Sequence, residues 1–306
     1  MASVTLSESA KLAQDELVAG VIENVVTVDQ FYELLPFDGI DGNALAYNRE
    51  NALGNVMNLG VGGTITAKGA ATFTQVTSSL TTIIGDAEVN GLIQATRSGD
   101  GNDQTAIQIA SKAKSAGRQY RNHLINGTGA DDQFNGLINL CAAGQEVETD
   151  TNGENISFDV MDQLMDTVVD KDGQVDYFLM PARTRRSYRA LLRALGGASI
   201  NEVFELPSGD EVIAYSGIPC FRNDYIPVNQ TQGGASTCTT VFAGTLDDGS
   251  RTHGIAGLTA ENMAGLHVDP VGWSETKDEF IHRVKWYCGL ALFSEKGLAM
   301  APGILN

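Results

Sequence analysis

The chain has 306 residues, 42% hydrophobic and only 19% charged, with 34 glycines and a formal net charge of -18. That size and apolar content suffice for one elaborate domain or two modest ones with a real core. The acidity excludes a simple electrostatic hold on nucleic acid, which needs clustered Lys and Arg, and no apolar run approaches the ~20 residues of a membrane-spanning helix.

Gly, Thr, Asn and Ala fill the place of the missing charge and favour strands, turns and extended loops. The first residues, MASVTLSESAKLAQ, show no basic segment followed by an apolar one. The expectation is therefore a soluble chain made without Sec export. Residues 7–25 predict an amphipathic helix capped by Ser7, with Ala10, Ala13, Leu17, Val21 and Val25 at helical spacing. Six acids and one base lie in residues 1–35. These residues predict an N-terminal arm, whose stripe needs something to dock on.

Residues 36–72 are rich in Gly and Asn and longer than an ordinary connection of ~4–6 residues. The alternating pieces Leu45, Tyr47 and Ile65, Ala67 predict a long hairpin reaching away from the body. Gly60-Val61-Gly62-Gly63 lacks the Lys-Ser/Thr of a phosphate loop. Residues 73–84 are Thr-rich and β-prone. Residues 102–126 predict the longest helix, roughly 35–40 Å at ~1.5 Å per residue, with Ile107, Ala110, Ala113, Gly117, Tyr120 and Leu124 on its buried side. Asn126–Leu140 then stops the helix, turns the chain sharply and starts an extended segment.

Ser157 caps a predicted helix carrying Phe158, Met161, Leu164, Met165 and Val168. Val175–Met180 reads as a buried strand, and Pro181 opens an Arg-rich helix, where its missing N–H costs nothing. Glu211–Tyr215 and Thr240–Ala243 read as strands, and 229–239 as a flexible tip. Phe280–Phe293 alternates: Val284, Trp286, Cys288, Leu290 and Leu292 face one way, Arg283, Lys285 and Tyr287 the other. An α+β fold follows, with two interleaved units, 73–135 plus 245–306 and 136–244.

Nine of the 20 basic residues sit on two predicted helices: Lys112, Lys114, Arg118 and Arg121, then Arg183, Arg185, Arg186, Arg189 and Arg193. One reading is two solvated faces; the sharper one is that they meet acidic faces of neighbouring copies.

Cys141, Cys220, Cys238 and Cys288 show no Cys-x-x-Cys, so free thiols are expected, although Cys220 and Cys238 flank one loop. His123, His253, His267 and His282 lack metal-ligand spacing. There is no Gly-x-Ser-x-Gly elbow. Asp131 and Asp132 lack the EF-hand pattern and read as a solvated turn. No catalytic, cofactor or metal residues are assigned.

Taken in order, these pieces resemble the major capsid protein of tailed bacteriophages, the Hong Kong 97 fold. The resemblance is carried by the arm, the extended loop at 36–72, the long helix at 102–126, Asn126-Gly127-Thr128-Gly129 and Gly136-Leu137-Ile138-Asn139. It continues through Tyr177–Pro181 before the Arg-rich helix, Tyr215–Pro219 and Val284–Phe293. It implies a peripheral domain (73–135 and 245–306) holding the spine helix and an axial domain (136–244) at the capsomer centre. It implies a non-enzymatic virion protein forming hexamers and pentamers of an icosahedral shell around double-stranded DNA, assembled in the host cytoplasm. Implied partners are other copies, a separate scaffolding protein, a portal, a decoration protein, and DNA held non-specifically.

The interface candidates are Arg118, Arg121, Arg185, Arg189, Arg193 and Lys68, the one lysine of the loop. Gly127 and Gly129 are the turn or hinge candidates. Two rivals stay open: an encapsulin-type nanocompartment shell, and a secreted Gly/Thr-rich hydrolase, which predicts a signal peptide and a catalytic cluster.

Overall fold

The computed structural model describes residues 30–97, 103–169, 173–194 and 203–305. The helix expected over 7–25 lies outside the described residues.

The first sheet is built round β13 (Glu279–Leu292). Along one edge runs β4 (Thr81–Asn90), with Thr81 opposite Cys288 and Asn90 opposite Glu279. Along the other run β12 (Leu266–Trp273) and then β11 (Ile255–Ala260). Outside β11 lies β1 (Phe37–Ile40), parallel, with Phe37 opposite Gly257. The short helix α1 (Gly91–Arg97) follows β4, and the long helix α2 (Gln104–Asn126) packs across β4 and β13. Asp103 caps α2 by accepting from Thr105 N–H at 2.9 Å.

The alternation of β13 places Cys288, Leu290 and Leu292 against Tyr120, Leu124 and Ile125 of α2, with Trp286 packed alongside. Burying each such side chain is worth roughly 1.5–3 kcal/mol. From Gly289 onward both faces of β13 are covered, because Ala291 and Phe293 pack with Ile40, Ala256 and Leu258 on the other side. The buried side of α2 differs from expectation at its start. Ala110 is exposed and Ala113 half-buried, whereas Ala116, Tyr120, His123, Leu124 and Ile125 are buried. The sheet covers the C-terminal half of the helix most fully.

The second sheet runs β14 (Leu298–Ile304), β10 (Ala235–Gly244), β5 (Tyr177–Met180), β8 (Ile218–Arg222), β7 (Glu211–Tyr215) and β6 (Val203–Glu205), with β9 (Gln230–Gln232) paired to β10. All four residues of β5 are buried, as a strand covered on both faces requires. Tyr177 and Leu179 face a cluster with Phe31, Phe221 and Phe242. Phe178 and Met180 face a second cluster under α4 (Phe158–Val169) and α5 (Ala182–Ala194). Ser157 caps α4 by accepting from Val160 N–H at 3.2 Å.

Several expectations are corrected. The strand Leu298–Ile304, expected with residues 245–306, hydrogen-bonds to β10 in the second sheet. Phe37–Ile40, expected within the extended loop, belongs to the first sheet. The standing hairpin is instead β2 (Ala44–Ala52) with β3 (Thr72–Ser79), and Tyr47 pairs with Val76 rather than with the 65–67 segment. Residues 229–239 are ordered as β9 and the start of β10. Gly233 there has φ +55°, and Gly234 N–H is capped by Asn152 Oδ1 at 2.8 Å.

Candidate assembly surfaces

The hairpin β2–β3 is the least self-sufficient part of the molecule. It forms its own two-stranded sheet, and two strands alone are marginal in water. Its root is held by specific bonds. Tyr47 Oη donates to the Leu292 carbonyl at 2.7 Å, and the Tyr47 ring meets Phe293 edge-on. Arg49 donates to the carbonyls of Phe293 (3.0 Å) and Leu292 (2.6 Å) and pairs with Glu295 at 2.7 Å.

Beyond Ala52, and at the start of β3, the chain carries apolar side chains that the other described residues leave exposed. Leu53 is 79% exposed, Val56 94%, Ile65 59% and Phe73 65%. Scattered exposed apolar residues are ordinary, but a run of them on one projecting element marks an interaction surface. Lys68 is exposed on this loop, and neither Ala67 nor Gly69 beside it gives its amine any special chemistry.

At the end of α2 the chain closes a tight clasp. Gly127 N–H donates to the His123 carbonyl at 2.9 Å, and Gly136 N–H to the Gly127 carbonyl at 2.8 Å. Thr128 bridges to Asn135, and the segment expected to run extended after the turn is instead the short helix α3 (Leu137–Leu140). Asp131 and Asp132 both take left-handed φ, 52° and 59°. Thus the hinge candidates Gly127 and Gly129 sit in a packed turn.

The basic candidates fall in separate places. Arg118 and Arg121 are half-buried on α2, and the Arg121 guanidinium lies over the Tyr32 ring at 5.2 Å, a cation–π contact within the chain. On α5, Thr184, Tyr188 and Leu192 face the core while Arg186, Arg189 and Arg193 are exposed. Arg183 serves the chain itself, donating to the Thr237 carbonyl at 2.6 Å. Arg185 is half-buried, and its Nε is shielded from water without a hydrogen-bond partner. Burial, and then the Arg189 charge, push its pKa below the usual guanidinium value.

Cys141, Cys220, Cys238 and Cys288 are free. Burial pushes the Cys141 and Cys288 thiols up to about 12, which keeps them protonated and unreactive. His123 is buried, its Nε2 bonded to Gln119 at 2.8 Å and its Nδ1 without a partner. Among the described residues no group of three His, Cys, Asp or Glu side chains could hold a metal.

Sequence reading missed Tyr47 and Arg49, because their partners are main-chain carbonyls nearly 250 residues away. It also missed the acidic stripe of α4: Asp159, Asp162 and Asp166, all exposed. Their spacing of three and four residues was visible in the sequence.

No protein-family model and no curated protein matches the chain. Solved structures do. The holo-SrpI encapsulin complex from Synechococcus elongatus PCC 7942 is similar at 19% identity, over 99% of this chain and 96% of that one, with a TM-score of 0.74. The capsid of a native GTA particle is similar at 14% identity, over 98% of each chain, with a TM-score of 0.64. The capsid of Myoviridae phage XM1 is similar at 11% identity, over 99% of this chain and all of that one, with a TM-score of 0.63. The described residues have the Hong Kong 97-type fold.

Proposed function

We propose that this chain is the subunit of a self-assembling protein shell. The observation that carries the reading is the projecting hairpin. Its root is locked to the body by Tyr47 and Arg49, and its tip offers apolar side chains that the other described residues leave exposed. In a homomeric shell each such contact repeats by symmetry, so a modest patch is multiplied over every copy. The reading needs no catalytic step. In this reading the unit round α2 forms a peripheral layer and the unit round the second sheet an axial layer, with β1 in the first sheet and β14 in the second.

For the contents of the shell, the encapsulin-type reading has the better support. The fold similarity is closer to the encapsulin, at a TM-score of 0.74, than to the phage XM1 capsid at 0.63. The shell would then enclose a protein cargo. The second reading is a phage head of hexamers and pentamers round double-stranded DNA, with a portal and separate scaffolding and decoration proteins. The length of the hairpin loop, residues 53–71, favours it.

The test is to express the chain alone, image it by negative stain and identify what co-purifies. Closed shells of uniform size support the subunit reading; monodisperse monomers at high concentration overturn it. Shells from the native source that hold an enzyme support the encapsulin reading. Shells that hold DNA and carry a portal replace it with the phage head.

A further inference from the structure

The second sheet carries two helices side by side on one face, joined by Phe158 against Tyr188 at 6.2 Å between ring centroids. Each turns a stripe of one sign outward. On α4 the stripe is Asp159, Asp162 and Asp166; on α5 it is Arg186, Arg189 and Arg193. Both follow the spacing i, i+3, i+7. Each therefore runs about 10 Å along its helix, at ~1.5 Å per residue. The stripes match in length and number and oppose in charge.

Within one chain they do not satisfy each other. Among the described residues no ion pair engages Asp159, Asp162, Asp166, Arg186, Arg189 or Arg193. The basic side is also locally crowded. Half-buried Arg185 lies beside Arg189 and Arg222, and its shielded Nε has no partner. Arg222 alone of these holds an acid, Asp224, through two bonds of 2.7 Å. On a chain of net charge -18, a basic ridge is the surface most strongly drawn to a second copy.

We infer that the acidic stripe of α4 docks on the basic stripe of α5 in a neighbouring copy of the same chain. This rests on the shell reading and names the partner surface within it. One exposed pair contributes little by itself, because water and salt screen it. Three aligned pairs at every repeat of a symmetric assembly give both orientation and rejection of misaligned neighbours.

The test uses charge reversal, of each stripe singly and of both in one chain. One variant, Asp159→Lys with Asp166→Lys, makes both stripes basic and spares Asp162, which accepts the Tyr215 hydroxyl. The other, R186E/R189E/R193E, makes both acidic. Circular dichroism and thermal melting first establish that each is folded. Should either unfold, D159N/D166N or R189Q/R193Q replaces it, with a smaller effect of the same sign.

Each variant alone should give at least about tenfold fewer shells than wild type, and a single chain carrying both reversals should assemble again. Normal shells from either reversed variant alone overturn the docking and leave the shell reading intact. Failure of the folded, doubly reversed chain to assemble also overturns it, because exchanging both signs restores the pairing at every interface. A wild-type chain that never forms shells overturns both.

Discussion

Gly127 and Gly129 stand two residues apart in one turn but are glycine for different reasons. Gly127 has an ordinary φ of -59°. Its constraint is space: an added Cβ would lie 2.2 Å from the Phe134 carbonyl oxygen and 2.6 Å from that of His123. Those are main-chain atoms that hold the helix cap and cannot step aside. Gly129 has φ +72°, and its added Cβ would meet the Asn135 side-chain oxygen, which can rotate away. Gly129→Ala should cost about 1–2 kcal/mol, the left-handed penalty. Gly127→Ala should cost more, at or above the ~1–3 kcal/mol of ordinary overpacking. Urea unfolding of the two variants checks the order, and equal midpoints would refute the distinction.

His123, one turn earlier, carries a pH signature. Burial lowers its pKa, so the folded chain holds the ring neutral. The unfolded state then binds the proton first as pH falls below the ordinary value of ~6.5. The His123 contribution is therefore complete above that pH and is lost as pH falls through the depressed folded value. Replacing His123 with Gln should flatten that part of the stability–pH curve. A curve that keeps its slope would exclude His123 as the source.

At the scale of elements, the hairpin acts as an arm whose angle is set at its root. Arg49 reaches two main-chain carbonyls of the β13 exit, and charge-assisted bonds of this kind are worth about 1.5–3 kcal/mol each. Its pair with Glu295 adds little, since that carboxylate is more than half exposed. Arg49→Ala should lower monomer stability by about 2 kcal/mol and reduce shell yield far more than that loss alone predicts. Thermal melting and size-exclusion chromatography measure the two effects. A proportionate fall in both would mean that Arg49 supports only the body.

The hairpin also marks where sequence reading stopped. Glycine and length announced a projecting loop, but register was not readable. The alternation runs on both sides of the loop, and Val76 and Ala67 offer Tyr47 equally plausible partners on paper. Helix α5 was legible because one face is apolar and the other is a row of arginines. The strand β13 was legible for a similar reason, with an apolar side chain at every second residue from Val284 to Leu292.

Across the whole molecule, the legible parts are those whose partners announce themselves by period. Those that were not legible join the chain to itself over long distances. Parallel β1 meets β11 with Phe37 opposite Gly257, and β14 crosses from the first sheet to the edge of the second. Nothing local in LAMAPGI says which sheet it will enter; its choice is settled by the open edge of β10.

That late strand has a consequence for how copies are made. Residues 298–304 follow every other strand in order of synthesis, so β10 keeps an unpaired edge until they emerge from the ribosome. Bare strand edges invite pairing with other chains, and chains still on polysomes are crowded together. Docking of β14 closes that edge and buries Leu298, Ala299, Ala301 and Ile304. A chain cut short before this point keeps the edge open and lacks the finished face beneath α4. Covering of the β10 edge thus waits on a strand translated long after β10 itself.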